Sequence, residues 1–233
     1  MNPRPVPECR RASDRPGYAA AVVTVLLLIR HAESTANDRG LLTGWSPGVH
    51  LSDRGREQAK ALSERLSAVP LAEIYASPLE RCRETAAALA SGRGIRVRLD
   101  RDLGEVRYGS WTGRPLKQLA RTKLWKLVQL APSRARFPDG ESLSEAQQRV
   151  LDAAERIASR HPRRVVAVVS HCDPIRLLLS HLAGAHIDQF QRMVVDPASV
   201  SAVALGDGIP RILRVNHTGD LAGLVPRTRR VRG

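Results

Sequence analysis

Val25-Leu26-Leu27-Leu28-Ile29 is an apolar run of strand length that breaks off abruptly into Arg30-His31. A strand with no polar alternation is one covered on both faces, as in a parallel sheet sandwiched by helices. His31 therefore falls where the strand reaches the rim of its sheet, the place where open α/β sheets bind ligands. A second run, Val165-Val166-Ala167-Val168-Val169, ends in Ser170-His171. Two buried strands ending in histidine constrain both the fold and the chemistry.

Other polar residues fall at comparable places. Ser77-Pro78-Leu79-Glu80-Arg81 predicts a helix start, with Ser77 as N-cap, Pro78 at the first helical position and Glu80 closing a capping box. Arg81 then lies in a first turn, where free backbone N–H groups already favour an anion. Leu103-Gly104-Glu105 follows a β-like run from Ile95 to Leu99, and Asp173-Pro174 predicts a second capped helix start. Histidines at strand ends, arginines beside them and a single carboxyl suit a phosphate site with a nucleophile and a proton donor. The plainer alternatives are a turn carboxylate for Glu105, a helix-face partner of Glu80 or Glu84 for Arg81, and a core histidine for His171.

The order and spacing resemble the histidine phosphatase superfamily, which includes cofactor-dependent phosphoglycerate mutases and acid phosphatases. Arg30-His31-Ala32-Glu33-Ser34 is similar to its Arg-His-Gly signature, with Asn37 six residues after the histidine as in the mutase-like branch. Ser77 to Ala86 resembles its second motif and Val169-Ser170-His171 its last. Leu103-Gly104-Glu105 with Tyr108 to Gly113, and Phe137 to Ser142, resemble two further blocks. The resemblance runs from about Val23 to about Val225 and is closest to a bacterial branch described as phosphomutases or phosphatases. Two departures stand out: Ala32 and Cys172 occupy positions where glycine is usual.

The resemblance implies a three-layer α/β/α sandwich with a mostly parallel sheet, and a reaction through phosphohistidine. His31 would be the nucleophile, needing a neutral ring and an acceptor to fix its free nitrogen. Arg30, Arg81 and His171 would hold the non-bridging oxygens, Asn37 would add a neutral donor, and Glu105 would protonate the leaving oxygen. Thr43-Gly44-Trp45, Trp111 and Trp125 are candidates for the substrate mouth. No metal or other cofactor is expected, since arginines supply the charge that magnesium supplies elsewhere. A mutase holds its phosphoenzyme behind a closed lid, and only 65 residues separate Glu105 from His171. So short a lid favours phosphomonoester hydrolysis over a mutase reaction.

Composition narrows the partners. The chain has 233 residues, enough for one α/β domain, and a formal charge of +14 that ordinarily suggests nucleic acid. Half of that excess sits at the ends: residues 1–16 carry four arginines against Glu8 and Asp14, and residues 210–233 carry six against Asp220. Only four of the 37 basic residues are lysine, which fits an arginine-rich coding bias better than a phosphate track. A small phosphorylated metabolite is thus the expected partner, ahead of nucleic acid.

Cys9, Cys82 and Cys172 make an odd count with no metal-like spacing, as expected of free thiols in the cytoplasm. Cys9 to Arg15 mimics a cysteine-phosphatase loop, but no strand precedes it. No apolar stretch is long enough for a membrane span.

Along the chain, residues 1–21 read as a disordered N-terminal extension, 22–225 as the phosphatase domain and 226–233 as a basic flexible tail. Helices are predicted over Asp53–Leu66, Leu79–Ala90 and Pro115–Leu130. Another opens at the Ser142-Leu143-Ser144-Glu145 capping box with the stripe Leu143, Ala146, Val150, Ala153 and Ile157. A helix through Leu182 follows the second buried strand. Short strands are predicted over Glu73–Ala76 and Ile95–Leu99. Ser199–Leu205 and Ile209–Val215, joined by Asp207-Gly208, predict an antiparallel hairpin at the sheet edge.

Overall fold

A computed structural model describes residues 22–36 and 40–219. The predicted extension 1–21, the tail 226–233 and Asn37 lie outside the described residues. In chain order the elements are β1 (Val23–Arg30), α1 (Asp53–Arg65), β2 (Leu71–Ala76), α2 (Glu80–Ala90), β3 (Val97–Leu99), α3 (Leu116–Leu119) and α4 (Lys123–Leu130). Then follow α5 (Leu143–Arg160), β4 (Val165–Ser170), α6 (Cys172–Leu182), β5 (Val200–Gly206) and β6 (Arg211–His217). They build one six-stranded sheet in the order β3-β2-β4-β1-β5-β6. The first four strands in that order run parallel, and β5 pairs antiparallel with both β1 and β6. This is the expected mostly parallel sheet with an antiparallel edge hairpin.

The unalternating run of β1 is explained by its two covers. Val25, Leu27 and Ile29 point into a core shared with Ala59 and Leu62 of α1 and Ala86 and Leu89 of α2. Leu26 and Leu28 point the other way, against Val150, Ala154 and Ile157 of α5 and Leu178 of α6. A third cluster, including Trp111, Leu119, Val128, Phe137 and Phe190, holds the α3–α4 segment over the rim of the sheet.

Register sets the site. Arg30 of β1 is level with Ser170 of β4, and the His31 amide donates to the Ser170 carbonyl at 2.9 Å. The Ser77 amide, just past β2, donates to the Val169 carbonyl at 2.9 Å. Three adjacent parallel strands therefore deliver His31, His171 and Ser77 to one rim.

Helix starts differ from expectation in two places. Ser77 is not an N-cap: α2 begins at Glu80 with Leu79 as the uncapped preceding residue, and no capping box forms. The Ser77 hydroxyl is taken by His171, and a Glu80 carboxylate oxygen instead accepts from the Gly48 amide. Asp173 likewise does not cap α6, which begins at Cys172 directly after His171. Its carboxylate accepts from the Tyr108 hydroxyl at 2.8 Å. In both cases a group at the site outcompetes the local cap.

The helix predicted over Pro115–Leu130 is two helices. α3 ends at Leu119 and Thr122 caps α4 by accepting from the Trp125 amide, so the leucine stripe is broken and Leu130 is 81% exposed. The Ser142 capping box is present, with both reciprocal bonds, and its predicted stripe is buried throughout.

Candidate active site

His31 is buried at the end of β1 and its ring is oriented from both sides. Nδ1 lies 2.7 Å from the Ala32 carbonyl, an acceptor, so Nδ1 carries the proton. Nε2 keeps its lone pair and accepts from Arg81 Nε at 3.2 Å. Burial, and then the Arg81 charge, hold its pKa well below the usual histidine value. The ring is thus neutral, with its lone pair on Nε2. The acceptor that fixes it is the carbonyl of the very next residue.

Arg81 is almost wholly buried and joins the parts of the site. Beyond His31, its Nη2 donates to the Gly44 carbonyl at 2.9 Å and to His171 Nδ1 at 3.1 Å. Gly44 adopts a φ of +47°, and a Cβ there would stand 2.9 Å from the Tyr108 ring. Only glycine presents its carbonyl to Arg81 from that backbone without strain.

Because His171 accepts at Nδ1, its proton is on Nε2, which donates to Ser77 Oγ at 2.8 Å. Burial and the adjoining Arg81 lower the His171 pKa as well. The two histidine rings meet edge to face, with centroids 5.2 Å apart.

Two buried donors around this group have no partner among the described residues: Arg81 Nη1 and Arg30 Nε. Arg30 is anchored by Nη1, which donates to the Val195 carbonyl at 2.7 Å. Unpartnered guanidinium donors beside a neutral imidazole suit an anion with several acceptor oxygens.

Glu105 faces the same cavity. Burial, reinforced by the negative charge of Asp173, pushes its carboxyl up to about 7. One oxygen accepts from the Val106 amide at 2.9 Å. A carboxyl near neutrality can both give and take a proton.

The loop that carries Glu105 is clamped by Arg149 and Glu141 on one side and by Trp45, expected at the substrate mouth, on the other. Arg149 of α5 donates to the carbonyls of Asp102, Gly104 and Glu105 at 2.7 to 2.9 Å. Its other face pairs with the Glu141 carboxylate at 2.6 and 3.0 Å, and Glu141 also accepts from the Arg107 amide. From the opposite side Trp45 Nε1 donates to the Glu105 carbonyl at 2.6 Å. A Cβ at Gly104 would collide with the Trp45 ring. Glu141 lies in a block singled out in the sequence, but nothing local connects it to Arg149.

These groups line a cavity of about 430 Å³. Arg30, His31, Thr43, Gly44, Arg81 and Glu105 lie on its wall, so the structure brings these expected site residues together. His171 stands behind Arg81 and contacts it directly. Trp111 and Trp125 line the cavity, stacked 6.4 Å apart, whereas Trp45 serves the Glu105 loop.

The family model for the histidine phosphatase superfamily, branch 1, matches residues 26–218. The chain belongs to that superfamily. Phosphoserine phosphatase 1 of Hydrogenobacter thermophilus is 33% identical over 195 residues, covering 83% of this chain and 92% of that protein. The adenosylcobalamin/alpha-ribazole phosphatase of Escherichia coli is 31% identical over 180 residues, covering 76% and 88%. Among solved structures, Bacillus stearothermophilus YhfR superposes with a TM-score of 0.78 at 29% identity, covering 85% of this chain and 98% of that one.

In this histidine phosphatase both departures from glycine are accommodated. Ala32 has no positive φ, and its methyl group packs in the core shared with α1 and α2. Cys172 lines the cavity and narrows it, and burial pushes its thiol up to about 12, so it stays neutral.

Proposed function

We propose that this histidine phosphatase hydrolyses small phosphomonoesters through a phosphohistidine at His31. The observation that carries the reading is the His31 ring, whose Nδ1–H is fixed on the Ala32 carbonyl while Nε2 faces a buried guanidinium. When a phosphate group enters, its oxygens are stronger acceptors than Nε2 and take the N–H groups of Arg81 and Arg30. Nε2 is thereby released to attack phosphorus. As the N–P bond forms, the bond to the leaving oxygen breaks, and that oxygen takes the proton of Glu105. The Ala32 carbonyl stabilises the charge left on the phosphorylated ring.

In the second half, the Glu105 carboxylate takes a proton from water as the water oxygen attacks phosphorus. The N–P bond breaks, inorganic phosphate departs, and His31 and Glu105 are restored. Arg30 and Arg81 hold the non-bridging oxygens throughout, where charge stabilisation matters most; His171, expected to share that task, has its proton on Ser77 and its other nitrogen on Arg81, and instead positions Arg81. Thr43 and Gly44 border the substrate. Asn37 is assigned a neutral donor role from its place in the motif alone.

A cavity of about 430 Å³ suits a small metabolite. The relatives named above are a phosphoserine phosphatase and an adenosylcobalamin/alpha-ribazole phosphatase, which supports hydrolysis of phosphomonoesters. Among the described residues no helix is long and apolar enough to cross a membrane. The free thiols of Cys82 and Cys172 support placing the enzyme in the cytoplasm. A phosphomonoester panel, run with and without 2,3-bisphosphoglycerate, separates a hydrolase from a mutase. Phosphate release without the bisphosphate is expected, and bisphosphate-dependent isomerisation without release would reverse the assignment.

A further inference from the structure

The two arginines of the phosphate pocket are held very unequally. Arg81 is fixed by His31, by the Gly44 carbonyl and by His171. Among the described residues the Arg30 guanidinium makes a single hydrogen bond, from Nη1 to the Val195 carbonyl at 2.7 Å, and its buried Nε has no partner. Where that one carbonyl stands therefore decides where the Arg30 head sits in the cavity.

The carbonyl is itself held from behind. The peptide unit that carries it also carries the Asp196 N–H, which donates to Asn216 Oδ1 at 2.7 Å. In a trans peptide the C=O and N–H lie in one plane and point in opposite directions, so Asn216 grips one side of the plane and Arg30 the other. A hydrogen bond on the N–H also polarises the carbonyl and makes it a better acceptor for a guanidinium. Asn216 Nδ2 donates to Asp196 Oδ2 at 2.7 Å, so one amide engages both the backbone and the side chain of Asp196.

Asparagine suits this post for a second reason. Asn216 lies near the end of β6 at a φ of +53°, in the left-handed region that asparagine enters more readily than most residues. Its own N–H donates to Ser201 Oγ at 3.1 Å, which ties it to β5. At the other end of the same loop the Ala198 N–H donates to the Arg30 carbonyl at 3.1 Å, and Arg65 Nη2 donates to the Ala198 carbonyl at 2.7 Å. The loop thus grips both the backbone and the guanidinium of Arg30, the residue just before His31.

We propose that Asn216 and Asp196 are positioning residues for the phosphate site: the pair sets the Val195–Asp196 peptide plane that aims the Arg30 guanidinium at the phosphoryl group. This rests on the phosphatase reading above and extends it to the edge strand β6, separated from β1 by β5. Neither residue lines the cavity, so both act through Arg30.

The probe is inorganic phosphate, titrated calorimetrically into the full chain, with kcat/KM for p-nitrophenyl phosphate and for an alkyl phosphate measured alongside. Asn216→Gly keeps the left-handed backbone without strain and removes the amide. It should weaken phosphate binding roughly 10-fold, the scale of one hydrogen bond to a charged group. Both esters should lose kcat/KM by that same factor, because Arg30 holds the phosphoryl group and not the leaving group. Asn216→Asp keeps an acceptor for the Asp196 N–H but sets two carboxylates together, so it should weaken binding too. Adding Asp196→Asn to it restores a donor between the two side chains and should recover most of the loss. In an Arg30→Met background Asn216→Gly should cost nothing further. Unchanged phosphate affinity in folded Asn216→Gly, whatever its melting temperature, overturns the proposal. Failure of the exchanged pair to recover, or an equal loss in the absence of Arg30, overturns it as well. If the wild type neither binds phosphate nor hydrolyses p-nitrophenyl phosphate, the phosphatase reading falls and this role falls with it. If the wild type does both and the variants match it, the positioning role alone is wrong.

Discussion

Glu105→Gln should make the protein more stable at alkaline pH, and by a magnitude that the burial of the carboxyl sets. The Glu105 carboxyl moves from an ordinary 4.5 to about 7 on folding, chiefly because it is buried and secondarily because Asp173 is near. The native state therefore holds this proton more tightly than the unfolded chain does. That contribution is fully present below pH 4.5 and is lost as pH rises through 7, where the folded protein carries a buried carboxylate. Converting the pKa difference gives about 3 kcal/mol. Glutamine never ionises, keeps nearly the same shape and can still accept from the Val106 amide. The stability difference, variant minus wild type, should thus grow by about 3 kcal/mol between pH 4 and pH 8.

Urea unfolding of both proteins across that range measures it, and the buried histidines cancel because they are common to both. In melting temperature the same shift amounts to roughly 6–12 °C for a chain of this size. A difference that stays flat with pH, or shrinks, would refute the placement of Glu105 as a desolvated acid. The matching kinetic signature is a fall in wild-type kcat/KM for alkyl phosphates as pH rises through 7.

Arg149→Met strands the buried Glu141 carboxylate and frees the Glu105 loop; we expect a stability loss of about 3–5 kcal/mol, seen by urea unfolding. In the protein that remains folded, alkyl phosphates should be slowed more than p-nitrophenyl phosphate, because a displaced acid matters most to a poor leaving group. Ser77→Ala removes the acceptor of the His171 Nε2 proton and should cost about 1–3 kcal/mol by thermal melting, with KM raised. Vanadate should inhibit at the arginine-lined pocket while EDTA leaves turnover unchanged. Loss of activity on chelation, restored by a divalent metal, would contradict the arginine-based mechanism.

The parts of this molecule that were legible in its sequence are those encoded locally. The unalternating runs at Val25–Ile29 and Val165–Val169 announced buried parallel strands, and their register then brought His31 and His171 to one rim. The Ser142 capping box and its apolar stripe are likewise local and form as read. Misreadings fall where a distant group claims a residue with a strong local preference. Ser77 and Asp173 both sit beside prolines and look like helix caps, yet one hydrogen-bonds His171 and the other Tyr108. The stripe over residues 115–130 was broken by Thr122, whose preference for capping outweighs the continuity of the leucines. Three features depend on contacts no spacing rule encodes: the Ala32 carbonyl fixing the His31 tautomer, the Arg149–Glu141 clamp, and the raised pKa of Glu105.

If His31 Nε2 is phosphorylated and Glu105 acts on both sides of that intermediate, the phosphoenzyme can be trapped. Rapid quench with radiolabelled p-nitrophenyl phosphate, applied to wild type, His31→Ala and Glu105→Gln, tests it most directly. An aryl oxide needs little protonation to leave, so Glu105→Gln should form the phosphoenzyme readily, but without a base for water it should hydrolyse it roughly 10²–10⁴-fold more slowly. The account predicts an acid-labile phosphohistidine that is fleeting in the wild type, accumulates in Glu105→Gln on the peptide containing His31, and is absent from His31→Ala. Label on a different residue, label surviving in His31→Ala, or turnover by Glu105→Gln with no accumulation would contradict it.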